Sequence, residues 1–232
     1  MTSVAPPLKV LSTNGIRGAL VALARQFEQS TAHKLDLDFE VTAVVSGRIL
    51  AGESFDIAVF GRKRMEELIA QGKIERQPAM TFGRTGMGLG VRKGDPKPDI
   101  GTTGALRDVL LNAKSVAYAA KGGSGKMFMA LLDRLGIKDE MQAKVMPVGA
   151  PTVRAVVRDD AQFVFTSVGL ILADAEAELV APLPAEVQTY AHIEIGVGTA
   201  STQIHAARQF AAFVTGATAL PILRQFGVER EM

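Results

Sequence analysis

Cysteine and tryptophan are absent from the 232 residues, and only eleven Phe, two Tyr and three His are present. Without cysteine there is no disulfide, no thiolate metal site and no cysteine nucleophile. So few aromatics offer no stacking platform for bases, and a formal charge of +2 spread over scattered basic residues makes no stripe for nucleic acid or an anionic membrane. His33, His192 and His205 stand in separate segments, so no metal and no cofactor is expected. No apolar run is long enough to cross a bilayer, and no membrane insertion is expected. The opening MTSVAPPLKV lacks a basic region followed by an apolar run, which predicts a cytoplasmic chain as written, or a periplasmic one if a leader has been removed.

What is present is a globular composition, 47% hydrophobic and 22% charged, enough for one large domain or two small ones. Met1 to Pro7 reads as a loose lead-in. The chain then opens on LKVLSTNGIRGALVALARQF, a short apolar strand, a turn at Ser12–Gly15, and a helix with Ile16, Leu20, Leu23, Ala24 and Phe27 at helical spacing. A helix that starts at a strand end leaves N–H groups unpaired, and these attract negative charge. Leu35 to Val41 alternates as a strand with one wet face, and Thr42 opens a short helix closed by Gly52, either as an ordinary N-cap or as a second such mouth. Phe55 to Phe60 and Arg62 to Gln71 complete a third strand and helix, so the sheet is parallel.

The pattern changes at Phe82–Gly86, where a crossing between domains is expected. Gly86 leads into a strand at Met87–Val91 whose glycines leave one face with little side-chain cover, and the Gly-x-Gly-x-Gly spacing at 86, 88 and 90 is not a dinucleotide fingerprint, because no helix follows. Thr102–Thr103 caps a helix to Asn112, and a strand at Ser115–Tyr118 leads into the loop Ala119–Gly125 and a helix from Lys126. That loop is not a Walker motif; it is either a surface loop or an anion nest. Two more strand ends follow, before Val153 and at Thr166–Ser167. Tyr190 to Val197 reads as a returning strand, and two helices, Gln203 to Thr215 and Thr218 to Gln225, close the chain.

On LKVLSTNGIRGALVALARQFEQ, SGRILAGESFDIAVF, the Gly-rich loop, PTVRAVV followed by FVFTS, ELVAPLPAE and ARQFAAFVTGATALPILRQFGVE, the chain resembles the type II periplasmic binding proteins, and within them the molybdate-binding group. The resemblance covers nearly the whole chain. It implies a two-lobed α/β fold, each lobe a mostly parallel sheet flanked by helices and joined by two hinge strands, with lobes at 1–82 plus 199–232 and at 83–197. It also implies closure, like a flytrap, on one small anion, and an ABC permease as partner. The family site carries over to Asn14, Gly15 and Ile16 with Arg17 beside them, to Thr42 and Ala43, to Ser124 and Gly125, to Val153 and Arg154, and to Thr166 and Ser167. The molybdate binders have a Ser and a Tyr where this chain has Gly15 and Thr166. Two missing donors favour a larger anion such as an organic acid, with Arg17, Lys121 or Arg154 as a charge partner.

Two other readings stay open. One is an isomerase-like enzyme acting on a small carboxylate, against which stands the lack of a Glu, Asp or His well placed at a strand end to move a proton. Asp56 would need its strand to end early. The other is a ligand sensor on the same fold, which sequence does not separate from a transport receptor.

Overall fold

A computed structural model describes residues 5–76 and 80–230; the first four residues of the expected lead-in lie outside them. Contacts divide the chain into unit 1, Met1–Arg84 with His192–Met232, and unit 2, Thr85–Ala191. In order, the elements are β1 (Leu8–Thr13), α1 (Arg17–Ser30), β2 (Leu35–Glu40), α2 (Thr42–Leu50), β3 (Ile57–Gly61), α3 (Arg62–Ala70) and β4 (Met80–Arg92). They continue with α4 (Thr103–Asn112), β5 (Val116–Ala119), α5 (Gly123–Leu135), α6 (Lys138–Met141), β6 (Val145–Val148), α7 (Arg154–Val157), β7 (Phe163–Ser167), α8 (Val168–Leu172) and β8 (Ala177–Pro182). The chain closes with β9 (Tyr190–Val197), α9 (Ile204–Thr215), α10 (Leu220–Gln225) and β10 (Val228–Glu229).

Unit 1 is built on parallel pairing of β1 with β2 and with β3, while β9 lies antiparallel to β3. Val10 and Leu11 are wholly buried, as both faces of a central parallel strand should be. One face packs on Val45 and Ile49 of α2 and Met65 and Leu68 of α3. Phe27 of α1 meets Phe210 of α9 edge-on, with ring centroids 5.1 Å apart. The end of α9 is closed by Arg230, whose guanidinium donates to the carbonyls of Val214, Thr215 and Gly216 and to that of Phe82. The carbonyls of Val214, Thr215 and Gly216 would otherwise be the orphans of a helix C-terminus, while that of Phe82 belongs to β4. Burial lowers the pKa of that guanidinium from its ordinary value. Asp56 stands at the start of β3, not its end; its carboxylate accepts from the Lys9 N–H at 2.8 Å and the Ser201 hydroxyl at 2.5 Å.

Unit 2 repeats the plan: β5 runs parallel to β6 and β7, with β4 antiparallel to β7 and β8. Its two faces carry separate cores, one around Phe128, Phe165 and Leu106, the other around Val153, Val156, Val164 and Ile171. The strand expected only from Met87 is a single β4 of 13 residues. Its bare Gly face is filled from outside: a Cβ on Gly88 would come within 2.9 Å of Leu179, and one on Gly90 within 3.1 Å of Ile171. The chain passes between the units within β4, at Arg84–Thr85, and within β9, at Ala191–His192.

Candidate anion-binding positions at the strand ends

In unit 1, β1, β2 and β3 point the same way, so their C-terminal ends gather at one edge of the sheet. The pairing of Thr13 with Glu40 and of Ser12 with Val59 sets Asn14 level with Val41 and Gly61. Asn14, Gly15 and Ile16 form a single 3-10 turn ahead of α1, and the Arg17 N–H returns to the Asn14 carbonyl. Across from them, the N–H groups of Val44 and Val45 both bond the Val41 carbonyl, leaving those of Thr42 and Ala43 at the helix mouth. Thr42 is not the cap residue: that position is Val41, and no side chain closes the helix.

Cations and carboxylates sit on the same edge. The Arg17 guanidinium lies 4.5 Å from the centroid of the Phe39 ring, and the Glu40 carboxylate accepts from the Val41 N–H at 2.8 Å. Arg62, the first residue of α3, pairs at 2.8 Å with Glu194, whose side chain is only 11% exposed. The sequence reading missed this pair. Its signal was there in Glu194, a lone charge within the apolar run Ile193–Val197.

In unit 2 the ends of β5, β6 and β7 form the corresponding edge. Ser124 and Gly125, expected in a loop, are the second and third residues of α5; glycines at 122, 123 and 125 hid the first turn because glycine is a poor helix former. The Lys126 N–H reaches back to the Gly122 carbonyl, so those of Gly123, Ser124 and Gly125 face out of the helix start. Gly125 is required there, since a Cβ would lie 2.0 Å from the Ala119 carbonyl oxygen. Val153 is buried and precedes α7 as its cap residue, while Arg154 is committed to Glu176 at 2.7 Å and Asp174 at 3.1 Å. Those carboxylates raise the Arg154 pKa and compete with any anion for it. Thr166 and Ser167 are the last two residues of β7, both buried, and among the described residues neither hydroxyl has a hydrogen-bond partner.

Helix starts at parallel strand ends, repeated in two α/β units, are the arrangement the resemblance implied. A family model for bacterial extracellular solute-binding proteins matches residues 8–229. The chain belongs to that family. This solute-binding protein has the fold of the type II periplasmic binding proteins of the molybdate-binding group. It is similar to the periplasmic molybdate-binding protein of Azotobacter vinelandii, with a TM-score of 0.81, 20% identity, and coverage of 97% of this chain and 100% of that one. A sulfate-binding protein of Mycobacterium tuberculosis follows the same fold at a TM-score of 0.75, with 17% identity over 97% of this chain and 86% of the other. In sequence, the solute-binding protein is 25% identical over 228 residues to an aconitate isomerase from a Pseudomonas species, covering 96% of this chain and 87% of that protein.

A separate hollow of about 540 Å³ opens in unit 1 beside β9, lined by Ile195, Val197, Ala211, Ala212 and the Glu75–Arg208 pair. It is not at the strand ends, because Ile195 pairs with Val59 in the middle of β3. Among the described residues no group of three or more His, Cys, Asp or Glu is placed to hold a metal ion, and no helix is long and apolar enough to cross a membrane.

Proposed function

We propose that the chain captures one small anion reversibly, with neutral donors at its strand ends and no covalent step, as the receptor of an ABC permease. The donors from unit 1 are the Asn14 amide, the Thr42 hydroxyl and the N–H groups of Gly15, Ile16, Thr42 and Ala43. Unit 2 contributes the Ser124, Thr166 and Ser167 hydroxyls and the N–H groups of Ser124 and Gly125, with Val153 and Arg154 beside them. The observation that carries this reading is the pair of helix starts, α2 and α5, whose first N–H groups have no partner within the helix. Such groups add their dipoles where an anion would sit, without burying a counter-charge. Gly15 and Thr166 favour an anion with more than the four oxygens of molybdate or sulfate, and Arg17, exposed and lying over the Phe39 ring, is a cation that could meet a carboxylate. A thermal-shift series over molybdate, sulfate, phosphate, citrate and aconitate tests it. A ligand at 100 times its Kd stabilises by about 2.7 kcal/mol, or about 5–10 °C for a chain of this size. No shift from any organic acid or oxyanion at millimolar concentration would remove the reading.

The likeness to an aconitate isomerase favours a second reading, isomerisation of an unsaturated tricarboxylate. Glu40 and Glu194 are the carboxylates at the strand ends of unit 1 that such proton transfer would draw on. Proton NMR in D2O decides between the two: interconversion or deuterium uptake of cis- or trans-aconitate at protein-dependent rates makes the chain an enzyme, and an unchanged spectrum with a thermal shift makes it a receptor.

A further inference from the structure

Three of the buried hydroxyls without a partner lie at one end of the unit 2 sheet: Thr85, Thr166 and Ser167. Thr85 is 1% exposed and Ser167 5%. A buried hydroxyl that makes no bond is costly, so natural proteins keep few of them, and those few call for a partner that arrives later. Ser167 makes the point by position. It is the cap residue of α8, where a serine ordinarily accepts from the helix, yet its side chain makes no cap bond.

Register places Thr85 beside it. Met87 pairs with Ser167 across β4 and β7, so Thr85, two residues further toward the strand end, shares that face as the diagonal neighbour of Ser167, at a separation of roughly 7–8 Å. This is the face covered by α5: Phe165, two residues before Ser167, stacks on Phe128 at 4.7 Å. The open N–H groups at the start of α5 therefore sit over the same face and the same end. Gln188 fixes the strand there, accepting from the Met87 N–H at 2.8 Å and donating to the Met87 carbonyl at 3.1 Å. Its amide fills the Cβ position of Gly86 at 3.1 Å, on the opposite face, which leaves Thr85 turned toward α5.

We infer that Thr85 is a ligand-contacting residue, its hydroxyl and that of Ser167 donating to one carboxylate or oxyanion group held at the start of α5. This rests on the anion-binding reading and adds a donor from the strand through which the chain enters unit 2. The N–H groups of a helix start can only donate, and the two hydroxyls are able to donate beside them, so the group they suit is a negatively charged, multi-oxygen end of the ligand. Nothing in the pairing of β4 needs the Thr85 hydroxyl, and that separates a binding role from a structural one.

The test uses Thr85→Val, which keeps the shape and removes the hydroxyl, Thr85→Ser, which keeps it, and Thr42→Ala in unit 1. Each is titrated calorimetrically with whichever of citrate, trans-aconitate, sulfate and molybdate shifts the unaltered protein most. Expected are a ligand-free melting temperature for Thr85→Val equal to or above that of the unaltered protein, a Kd raised roughly ten- to a hundred-fold, and near-normal affinity in Thr85→Ser. An unchanged Kd in Thr85→Val beside a weakened Thr42→Ala would overturn the role of Thr85 and leave the anion site standing. A lower ligand-free melting temperature in Thr85→Val would show that the hydroxyl is a structural bond, and would overturn it too. If none of the four anions binds the unaltered protein, the anion-binding reading falls and this inference with it.

Discussion

Gly15 and Thr42 show how one side chain separates binding from stability. No atom lies within 4 Å of the Cβ position of Gly15, and its backbone is not in the left-handed region, so Gly15→Ser introduces a hydroxyl at the first mouth without strain. Ligand-free stability is expected to stay within about 0.5 kcal/mol, while affinity for sulfate or molybdate rises roughly tenfold or more if the serine reaches an oxyanion oxygen; calorimetric titration reads both. Thr42 gives the reverse change. Because its hydroxyl caps nothing, Thr42→Ala should not show the loss of about 1 kcal/mol typical of a removed cap. It should instead reduce the ligand-induced rise in melting temperature. A cap-sized loss with binding intact would return Thr42 to an ordinary helix-start role.

At the scale of elements, α5 and α2 are held in place by opposite means, close packing and charge. The first turn of α5 rests on the Ala119 carbonyl with no room for a methyl group at Gly125, so Gly125→Ala must lift the helix start; about 1–3 kcal/mol of stability should be lost in urea denaturation, along with anion affinity. The end of α2 is tied to β1 and β2 through Arg48, which pairs with Asp38 at 2.5 Å and Glu53 at 2.6 Å, while Lys9 reaches Glu53 at 2.7 Å. Hydrogen bonds from Arg48 and then Lys9 hold the Glu53 carboxyl at about 2, below its ordinary 4.5. A carboxyl depressed on folding stabilises fully above about 4.5 and loses that contribution as pH falls toward about 2. Denaturation midpoints of Glu53→Gln and the unaltered protein should therefore differ most at pH 6, differ less at pH 3, and converge only as pH falls below the folded value. The order of these elements was readable because apolar period changes from two to nearly four residues at each strand end, as at Leu11 and Ile16. The start of α5 was not, since its glycines oppose helix locally and only the packing over Ala119 and Phe165 imposes it. β4 was read as beginning late for a related reason: Gly83 to Gly90 offers few side chains, and its partners β7, β8 and β10 come much later in the chain. The orphan hydroxyls and the Arg62–Glu194 pair depend on register, which a single strand does not reveal.

For the whole molecule, the two units have separate cores, and the chain passes between them within β4 and β9. A ligand held by one unit would lower local opening in that unit alone, because local stability follows local contacts. Amide hydrogen exchange reads this directly. The segments at the helix starts, 14–17 and 42–45 in unit 1 and 122–126 in unit 2, are where exchange is expected to slow as citrate, aconitate or an oxyanion is titrated. Because the free N–H groups at 42, 43 and 123–125 lack intrahelical bonds, they should exchange fastest in the free protein and show the largest change. Protection confined to 122–126 would place the anion on unit 2 alone and separate the two sets of donors. Protection at none of these segments would take the anion away from the strand ends.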